Sequence, residues 1–284
     1  QTYNNATIGD GAGNSGRAKR VTYRNKTYTF QQQLTWKKEL NDHDFDVFLG
    51  HENFYDNEAY AYGYKTNEIF EGGTEMTNFT IITSLLGTQE NLRMESYLSR
   101  ARYNYKERYF FETSFRRDGT SRLSKKKRWG NFWSLGGSWS ISKEPFMAAI
   151  SDKLNVLKLR ASYGEVGNDI SAGLYAHMAL YDLAQNANMG AVYKIQNEAP
   201  DLMWETLSSF GTAIEGRAFD RANFTFEYFD RRSKKLLFDV NLPLSSGATS
   251  TSSAEAVQTA NLGVVSNRGF EMAFDVDVIH SKDW

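Results

Sequence analysis

Basic side chains are concentrated in one stretch, FRRDGTSRLSKKKRWG, at residues 115–130. It holds seven Lys and Arg residues against a single acid, Asp118. Clustered cations of this kind can bind the phosphates of nucleic acids or of lipid headgroups. The formal net charge of the whole chain is -1, which argues against a nucleic-acid partner, because nucleic-acid-binding domains are usually basic throughout.

Binding of lipid headgroup phosphates remains as a functional interpretation of the basic run. Its candidate contacts with the phosphates of outer-leaflet lipopolysaccharide are Arg122, Lys125, Lys126, Lys127 and Arg128. Arg and Lys suit phosphate through their charge and, for Arg, through its forked donors. The alternative, which the sequence favours, is a solvated loop tip, since Asp118-Gly119 begins a turn.

Residues that could support catalysis or metal binding do not form a recognisable set. The chain has no cysteine, which excludes disulfides and thiolate metal sites. The histidines, which lack the i, i+4 spacing of zinc proteases, are His43, His51, His177 and His280. Asp275 and Asp277 share one strand face, where carboxylates more often meet water than a glycoside. GAGNSG at 11–16 fits a dinucleotide fingerprint but precedes strand-like sequence. We therefore predict no enzyme activity, cofactor or metal.

Tyrosines in two segments are candidates for contact with a substrate or a partner. Tyr60, Tyr62 and Tyr64 lie in YDNEAYAYGYKTNEIFEGG, and Tyr175 and Tyr181 lie in GLYAHMALYDL. Aromatic rings can stack on sugar rings or peptide side chains. The same rings could instead hold their loops together or meet a partner protein.

Period-2 alternation predicts the elements that position these residues. In WSLGGSWSI, Trp133, Leu135, Trp139 and Ile141 share one face, and serines occupy the other. Many such segments reach ten residues, which suits a tilted membrane-crossing strand of about 9–11 residues better than a globular strand of about 5–6. Scarce proline and abundant aromatic residues support an all-β chain.

The connections between these segments alternate in length. We expect short ones at 37–42, 105–108, 143–153 and 217–221, and long ones at 56–94, 118–130, 165–202 and 240–265. Short inner turns and long outer loops are typical of outer-membrane barrels. The prediction is an antiparallel transmembrane β-barrel segment of about nine strands, part of a larger barrel, with long outer loops.

Four blocks carry a family resemblance. They are ARYNYKERYFFETSFRRDGTSRLSKKKRWGNFWSLGGSWSISKEPFM (101–147), LNVLKLRASYGEVGN (154–168), FTFEYFDRRSKKLLFDVNLPLSSG (224–247) and NLGVVSNRGFEMAFDV (261–276). In this order they resemble the SusC/RagA-type TonB-dependent outer-membrane transporters. The first 90 residues are similar only in pattern.

The resemblance implies a 22-stranded barrel in the bacterial outer membrane that imports oligosaccharides or peptides. It also implies a SusD-like surface lipoprotein as a lid and energy from the TonB complex through regions outside this sequence. Residues 1–284 would form part of one TonB-dependent receptor β-barrel domain, with the plug and the N-terminal regions absent. The resemblance provides no substrate-binding residue.

Three alternatives stand beside this interpretation. A soluble secreted β-sandwich that binds carbohydrate would also alternate, but its apolar strand faces would pack against each other. An outer-membrane barrel enzyme would need a catalytic constellation, which the sequence does not show. A purely structural barrel or adhesin would lack a plug and a lipoprotein partner.

Overall fold

The computed structural model describes residues 1–187, 189–243, 245 and 257–278. Its strands are β1 (Thr2–Asn4), β2 (Arg17–Leu40), β3 (His43–Glu68), β4 (Phe79–Tyr105), β5 (Tyr109–Thr120), β6 (Trp129–Ser140), β7 (Leu154–Asn168), β8 (Leu180–Asn186), β9 (Met189–Gln196), β10 (Glu205–Ala218), β11 (Ala222–Asn241) and β12 (Val257–Val276). Short 3-10 helices span Gly9–Asn14, Met76–Asn78, Ile141–Lys143 and Pro145–Ile150.

The main sheet is antiparallel and almost sequential. Its order is β1-β2-β3-β4-β5-β6-β7-β10-β11-β12, and β8 and β9 form a separate hairpin inserted between β7 and β10. Among the described residues, nine strands of this sheet have 12 residues or more, which confirms the expected number of long strands. Neighbours along the chain pair because short turns can join antiparallel strands directly.

The chain divides into two compact units. The first comprises Gln1–Thr29 and Phe54–Arg93, and the second comprises Phe30–Asn53 and Met94–Trp284. In the first unit, the glycine-rich segment 11–16 forms part of a 3-10 helix and a turn into β2, with no α-helix after it. A Cβ atom on Gly11 would lie 2.2 Å from the Asn5 carbonyl oxygen, so this glycine permits close backbone packing.

Tight turns close the short-connection end of the second unit. Lys106 and Glu107 have φ angles of 53° and 50°, and Phe219 and Asp220 have φ angles of 54° and 56°. Two consecutive residues with positive φ match the twist of antiparallel strands and make tight hairpins. The short connections that the sequence predicted at 105–108 and 217–221 are therefore confirmed.

The predicted long connection at 56–94 is wrong. Strand β3 continues to Glu68 and β4 begins at Phe79, so only residues 69–78 connect them. Residues 56–68 are mostly polar, yet their tyrosines recur every second residue, whereas residues 79–87 are largely apolar. A strand that pairs through its backbone needs no apolar face where it leaves the hydrocarbon layer. The connection at 165–202 also differs, because it contains the β8–β9 hairpin.

The two faces of the sheet in the second unit differ in chemistry. On β5 the outward face carries Tyr109, Phe111 and Phe115, and the inward face carries Glu112 and Arg116. Outward apolar side chains stay exposed, at 52% for Phe111 and 46% for Phe115. A sandwich would pack such faces together, so this alternative is not supported.

Tryptophans bracket the outward face of β6. Trp129 and Trp139 lie ten residues apart along one strand face. That separation is about 33 Å of strand, and with a tilt of about 40° it spans about 25 Å, the height of the apolar band of an outer-membrane barrel. The spacing therefore places the two rings at the two edges of such a band.

Candidate functional site

The long connections of the second unit fold against one another. Their buried apolar cluster consists of Leu123, Phe132, Ala172, Ala176, Ala199, Leu202, Trp204 and Leu237. These residues come from the 121–128 connection, from the segments flanking the β8–β9 hairpin and from strands β6 and β11. The connections at the outer end of this unit therefore pack against one another around a shared apolar cluster.

Arg122 joins the basic run to this cluster. Its Nε atom lies 3.7 Å from Oδ2 of Asp169, and its Nη1 donates to the Ala172 carbonyl oxygen at 2.6 Å. The carbonyl oxygen of Arg122 accepts a hydrogen bond from Nδ1 of His177 at 2.9 Å. Only 18% of the Arg122 side chain is exposed. Its guanidinium is thus directed towards protein groups.

The rest of the basic run lies further out. Lys125 and Lys126 are exposed, whereas Lys127 and Arg128 are half-buried. The carbonyl oxygen of Arg128 accepts a hydrogen bond from Nε1 of Trp204 at 2.8 Å, which anchors the end of the run. Phosphate contact by these residues stays a prediction.

The first tyrosine group lies on a strand. Tyr60, Tyr62 and Tyr64 share one face of β3, because they are two residues apart. The Tyr60 ring lies 5.0 Å from that of Tyr23 and 6.4 Å from that of Tyr62. Nζ of Lys19 lies 5.3 Å from the Tyr64 ring centroid. The group forms a row of rings in the first unit.

The second tyrosine group belongs to the second unit and borders the inserted hairpin. The carbonyl oxygen of Tyr175 accepts hydrogen bonds from the Met178 amide at 2.9 Å and from Nε2 of Gln196 at 3.0 Å. Tyr181 lies on β8 opposite Lys194, and 58% of it is exposed. Both tyrosines therefore sit on the long-connection side, as the sequence predicted.

An ion-pair bridge crosses three strands on the inward face. Nε of Arg160 donates to Oε1 of Glu215 at 2.6 Å, and Nη2 donates to Oε2 of Glu227 at 2.5 Å. These residues come from β7, β10 and β11. The alternation in LKLRASYG (157–164) places Arg160 on a polar strand face and gives no sign of its partners. Its two partners lie 55 and 67 residues away, so only the strand register brings them together.

A recess of about 630 Å³ lies beside this bridge. Its polar lining residues include Asp46, Arg102, Asn104, Glu112, Ser138 and Arg160. Nε of Arg102 donates to Oε2 of Glu112 at 2.8 Å, which adds a second cross-strand pair. Such a surface suits the water-filled interior of a barrel.

Glu144 organises the short-connection end. Its Oε1 accepts hydrogen bonds from the Tyr109 hydroxyl at 2.6 Å and from Nε1 of Trp139 at 2.9 Å, and its Oε2 lies 3.4 Å from Nη1 of Arg108. The hydrogen bond from Tyr109, with that from Trp139 and the charge of Arg108, lowers the pKa of the Glu144 carboxyl. The buried carboxylate therefore ties a connection to the ends of two strands.

Residues considered for metal binding or catalysis are dispersed. Nδ1 of His43 lies 2.8 Å from the Tyr103 hydroxyl, and Nε2 of His51 lies 3.4 Å from Glu95. His280 lies outside the described residues. Across the described part of the chain, no three metal-ligating side chains converge. The same residues contain no helix long and apolar enough to cross a membrane.

Comparison with known proteins assigns the family. The family model described as "TonB dependent receptor-like, beta-barrel" matches residues 1–284. The chain belongs to this family. TonB-dependent receptor P3 of Formosa agariphila is 30% identical over 295 residues, which cover 98% of the chain and 28% of that protein. TonB-dependent receptor SusC of Bacteroides thetaiotaomicron is 26% identical, over 93% of the chain and 26% of SusC.

A solved structure shares the fold. The RagAB peptide transporter superposes with a TM-score of 0.83 at 23% identity, over 95% of this chain and 30% of the matched chain. These matches confirm the SusC/RagA resemblance, the antiparallel barrel fold and the outer-membrane location. The chain spans less than a third of the length of these curated relatives, both of which are named TonB-dependent receptors.

Proposed function

We propose that this chain is part of the wall of a TonB-energised importer that carries oligosaccharides or peptides across the outer membrane. Residues 1–284 then form part of one barrel domain. Chain regions outside 1–284 supply the plug and the segment that contacts TonB. The import involves no covalent chemistry, because the cargo passes through the barrel unchanged.

The two-faced wall supports this proposal most directly. Arg160, Glu215 and Glu227 line the inward face, while apolar side chains such as Phe226 and Met272 cover the outward face. A membrane channel needs this arrangement, since lipid meets the outer side chains and water meets the inner ones. Paired charges on the inner wall keep it hydrophilic without a strong net field.

A SusD-like lipoprotein is the proposed partner at the outer end. The β8–β9 hairpin offers a surface for it, because Leu183 and Val192 pair across the hairpin and are 79% and 66% exposed. Adjacent exposed apolar residues on an outer loop are typical of protein contact sites. Tyr181 lies on the same hairpin and is a candidate contact for either the lipoprotein or the cargo.

Cargo contact is proposed for the tyrosines as a class. Tyr60, Tyr62, Tyr64, Tyr175 and Tyr181 offer ring faces that suit both sugar rings and peptide side chains. The matched RagAB structure is named a peptide transporter, and that description belongs to RagAB. Oligosaccharides and peptides should therefore both be tested as cargo.

The full-length protein in its native envelope provides the test. Membrane fractionation and affinity purification in mild detergent should recover it with a SusD-like lipoprotein. Uptake of labelled oligosaccharides and peptides should then be compared between the parent strain and a strain without TonB. TonB-dependent uptake of either cargo class supports the proposal. Equal uptake in both strains, or purification without any lipoprotein, contradicts it.

A further inference from the structure

The outward face of β7, β10, β11 and β12 changes from apolar to charged along the strands. Cross-strand registers define successive rows of this face: Leu159, Ile214, Phe226 and Met272; then Ala161, Thr212, Tyr228 and Phe270; then Tyr163, Phe210, Asp230 and Arg268; then Glu165, Ser208, Arg232 and Ser266. Rows are about 7 Å apart along the strands. The face therefore changes from apolar to charged over two rows, and the row beyond Arg232 carries Lys234 beside Val264, which is 63% exposed.

Aromatic rings mark this boundary. The Tyr228 ring lies 5.0 Å from the Phe270 ring and 6.4 Å from the Phe210 ring. Tyr and Trp rings on outward faces typically lie at the level of the lipid headgroups. The boundary is on the side of the long connections, since the short turn at 219–221 closes the other end of β10 and β11. It therefore faces the outer leaflet.

Three cations project just beyond the aromatic boundary. Arg232, Lys234 and Arg268 are exposed on the outward face, and Arg232 and Lys234 are two residues apart on β11. Asp230 binds Nε of Arg232 at 3.0 Å and Nη2 at 2.6 Å, and it lies opposite Arg268 in the register. This carboxylate fixes one edge of the guanidinium, so the opposite edge, with Nη1, faces away from it.

Two of these cations, Arg232 and Lys234, line a recess, and Arg268 lies opposite its lining residue Asp230. The recess measures about 500 Å³, and its lining consists of Tyr163, Ser208, Phe210, Tyr228, Asp230, Arg232 and Lys234. Its apolar side continues into the hydrocarbon-facing rows, and its polar side carries the cations. Glu165 is the second acid nearby, and it accepts a hydrogen bond from the Tyr163 hydroxyl at 2.7 Å. The recess lining thus contains two cations, Arg232 and Lys234, and one acid, Asp230, while Arg268 and Glu165 lie at neighbouring positions of the same face.

We propose that this recess binds the phosphate group of a phosphorylated glycolipid in the outer leaflet. The phosphate is contacted by three cations: Arg232, Lys234 and Arg268. The first carbons of the glycolipid's acyl chains are contacted by three rings: Phe210, Tyr228 and Phe270. Arginine suits this task because its donors form charge-assisted hydrogen bonds with phosphate oxygens. Asp230 is a positioning residue, which holds the Arg232 guanidinium in one orientation.

The wall cluster fits a lipid better than the basic run at 125–128 does. Lys125, Lys126 and Lys127 lie in an outer connection, beyond the strand ends of β5 and β6. The wall cations instead lie no more than two rows beyond the ring of Phe210, on the side that meets lipid. A headgroup whose acyl chains remain in the bilayer can reach them there.

The test uses the full-length protein purified from outer membranes in mild detergent. Phosphorylated glycolipid per protein molecule is measured by mass spectrometry for the parent and for the triple variant Arg232→Gln, Lys234→Gln, Arg268→Gln. The matched control is Lys125→Gln, Lys126→Gln, Lys127→Gln, which removes the same number of charges from the outer connection. We expect about a tenfold loss of bound lipid in the wall variant, from three lost charge-assisted contacts, and little change in the control.

Two further arms make the result decisive. The variant Arg232→Lys, Arg268→Lys keeps the charge, so it should retain more lipid than the glutamine variant, and unheated electrophoresis should show that every variant remains a folded barrel. Titration with inorganic phosphate distinguishes a free anion from a lipid headgroup, and we expect weak binding of the free anion. Unchanged lipid in the folded wall variant, equal loss in the control variant, or tight binding of free phosphate with no lipid would each overturn the proposal.

Discussion

The Arg122 side chain lies 3.7 Å from the carboxylate of Asp169, and these side chains are 18% and 8% exposed. This contact joins the basic run to the segment after β7. One of the cations that the sequence offered for phosphate binding therefore also holds the outer connections together.

Replacing Arg122 should loosen these connections. Arg122→Ala leaves Asp169 buried beside an apolar cluster and removes the hydrogen bond to the Ala172 carbonyl oxygen. We expect a loss of about 1–3 kcal/mol in local stability, measured as faster proteolysis of the outer connections in the full-length protein. The control variant is Lys126→Ala, which changes an exposed position of the same run. Its outer connections should be cleaved at the same rate as those of the parent protein. Equal rates for both variants would show that the pair does not hold the loop.

The Arg160 bridge should stabilise the inner wall by its geometry as well as its charge. Arg160→Gln leaves the Glu215 and Glu227 carboxylates without their shared cation. Because the group is about one-third exposed, we expect a loss of about 1 kcal/mol in unfolding free energy. Urea unfolding of the barrel measures it. Arg160→Lys should recover only part of this unfolding free energy, since an ammonium group cannot bind both carboxylates as the forked guanidinium does. Lys158→Gln, on the same face, is the control, and an equal loss there would contradict a specific bridge.

The pH dependence of stability should report on Glu144. Its pKa is lowered below the ordinary 4.5, so its hydrogen bonds and its ion pair stabilise the fold above that pH and are lost as the pH falls through the lowered value. The difference in melting temperature between the parent and Glu144→Gln should therefore be largest near neutral pH and should shrink below pH 4.5. Tyr109→Phe removes the largest cause of the lowered pKa and should move this loss to higher pH. A difference that stays constant across this range would contradict the assignment.

Gly167 allows an aromatic ring to cross the strand. A Cβ atom there would lie 2.0 Å from Cζ of Phe132, which belongs to the buried cluster. Gly167→Ala should displace this ring and cost about 1–3 kcal/mol, read from thermal unfolding. Gly173→Ala places a methyl group 4.0 Å from Cβ of Ala176, which is an ordinary contact, and should be close to neutral. Similar melting temperatures for both variants would show that Phe132 can move freely.

An introduced charge should destabilise the barrel far more at one residue of β12 than at the next residue. Met272 is 66% exposed on the outward face, whereas Ala273 points inward. Met272→Arg places a charge in lipid and should cost about 2–4 kcal/mol if it lies near the bilayer midplane. Ala273→Arg meets the polar interior and should cost much less. Folding into lipid vesicles, followed by denaturant titration, measures both. The reverse order would invert the assignment of the two faces.

The strands were predictable where apolar and polar residues alternate along the chain. Segments such as WSLGGSWSI have apolar residues at every second position, and β6 follows this pattern. The pattern failed for residues 56–94, because β3 continues through mostly polar residues to Glu68 and β4 begins again at Phe79. The polarity of residues 56–68 could not mark where β3 ends, since a strand pairs through its backbone.

The candidate sites were less accessible to such reasoning. The long connection expected at 56–94 contains Tyr60, Tyr62 and Tyr64, yet these residues form a row on β3. The Arg160 bridge joins residues that are dozens of positions apart, and no local pattern announces it. The sequence offered one signal for these sites, namely charged residues that recur on the polar faces of the alternating strands.

By itself, the sequence determined the all-β class, the apolar and polar strand faces, the tight turns and the family, because each depends on neighbouring residues or on motifs in order. Tertiary structure alone decided which distant residues share a row. Strand register sets Arg160 beside Glu215 and Glu227, and it places Arg268 opposite Asp230. A shift of one residue would move each side chain to the other face, so these sites exist only once the strands have paired.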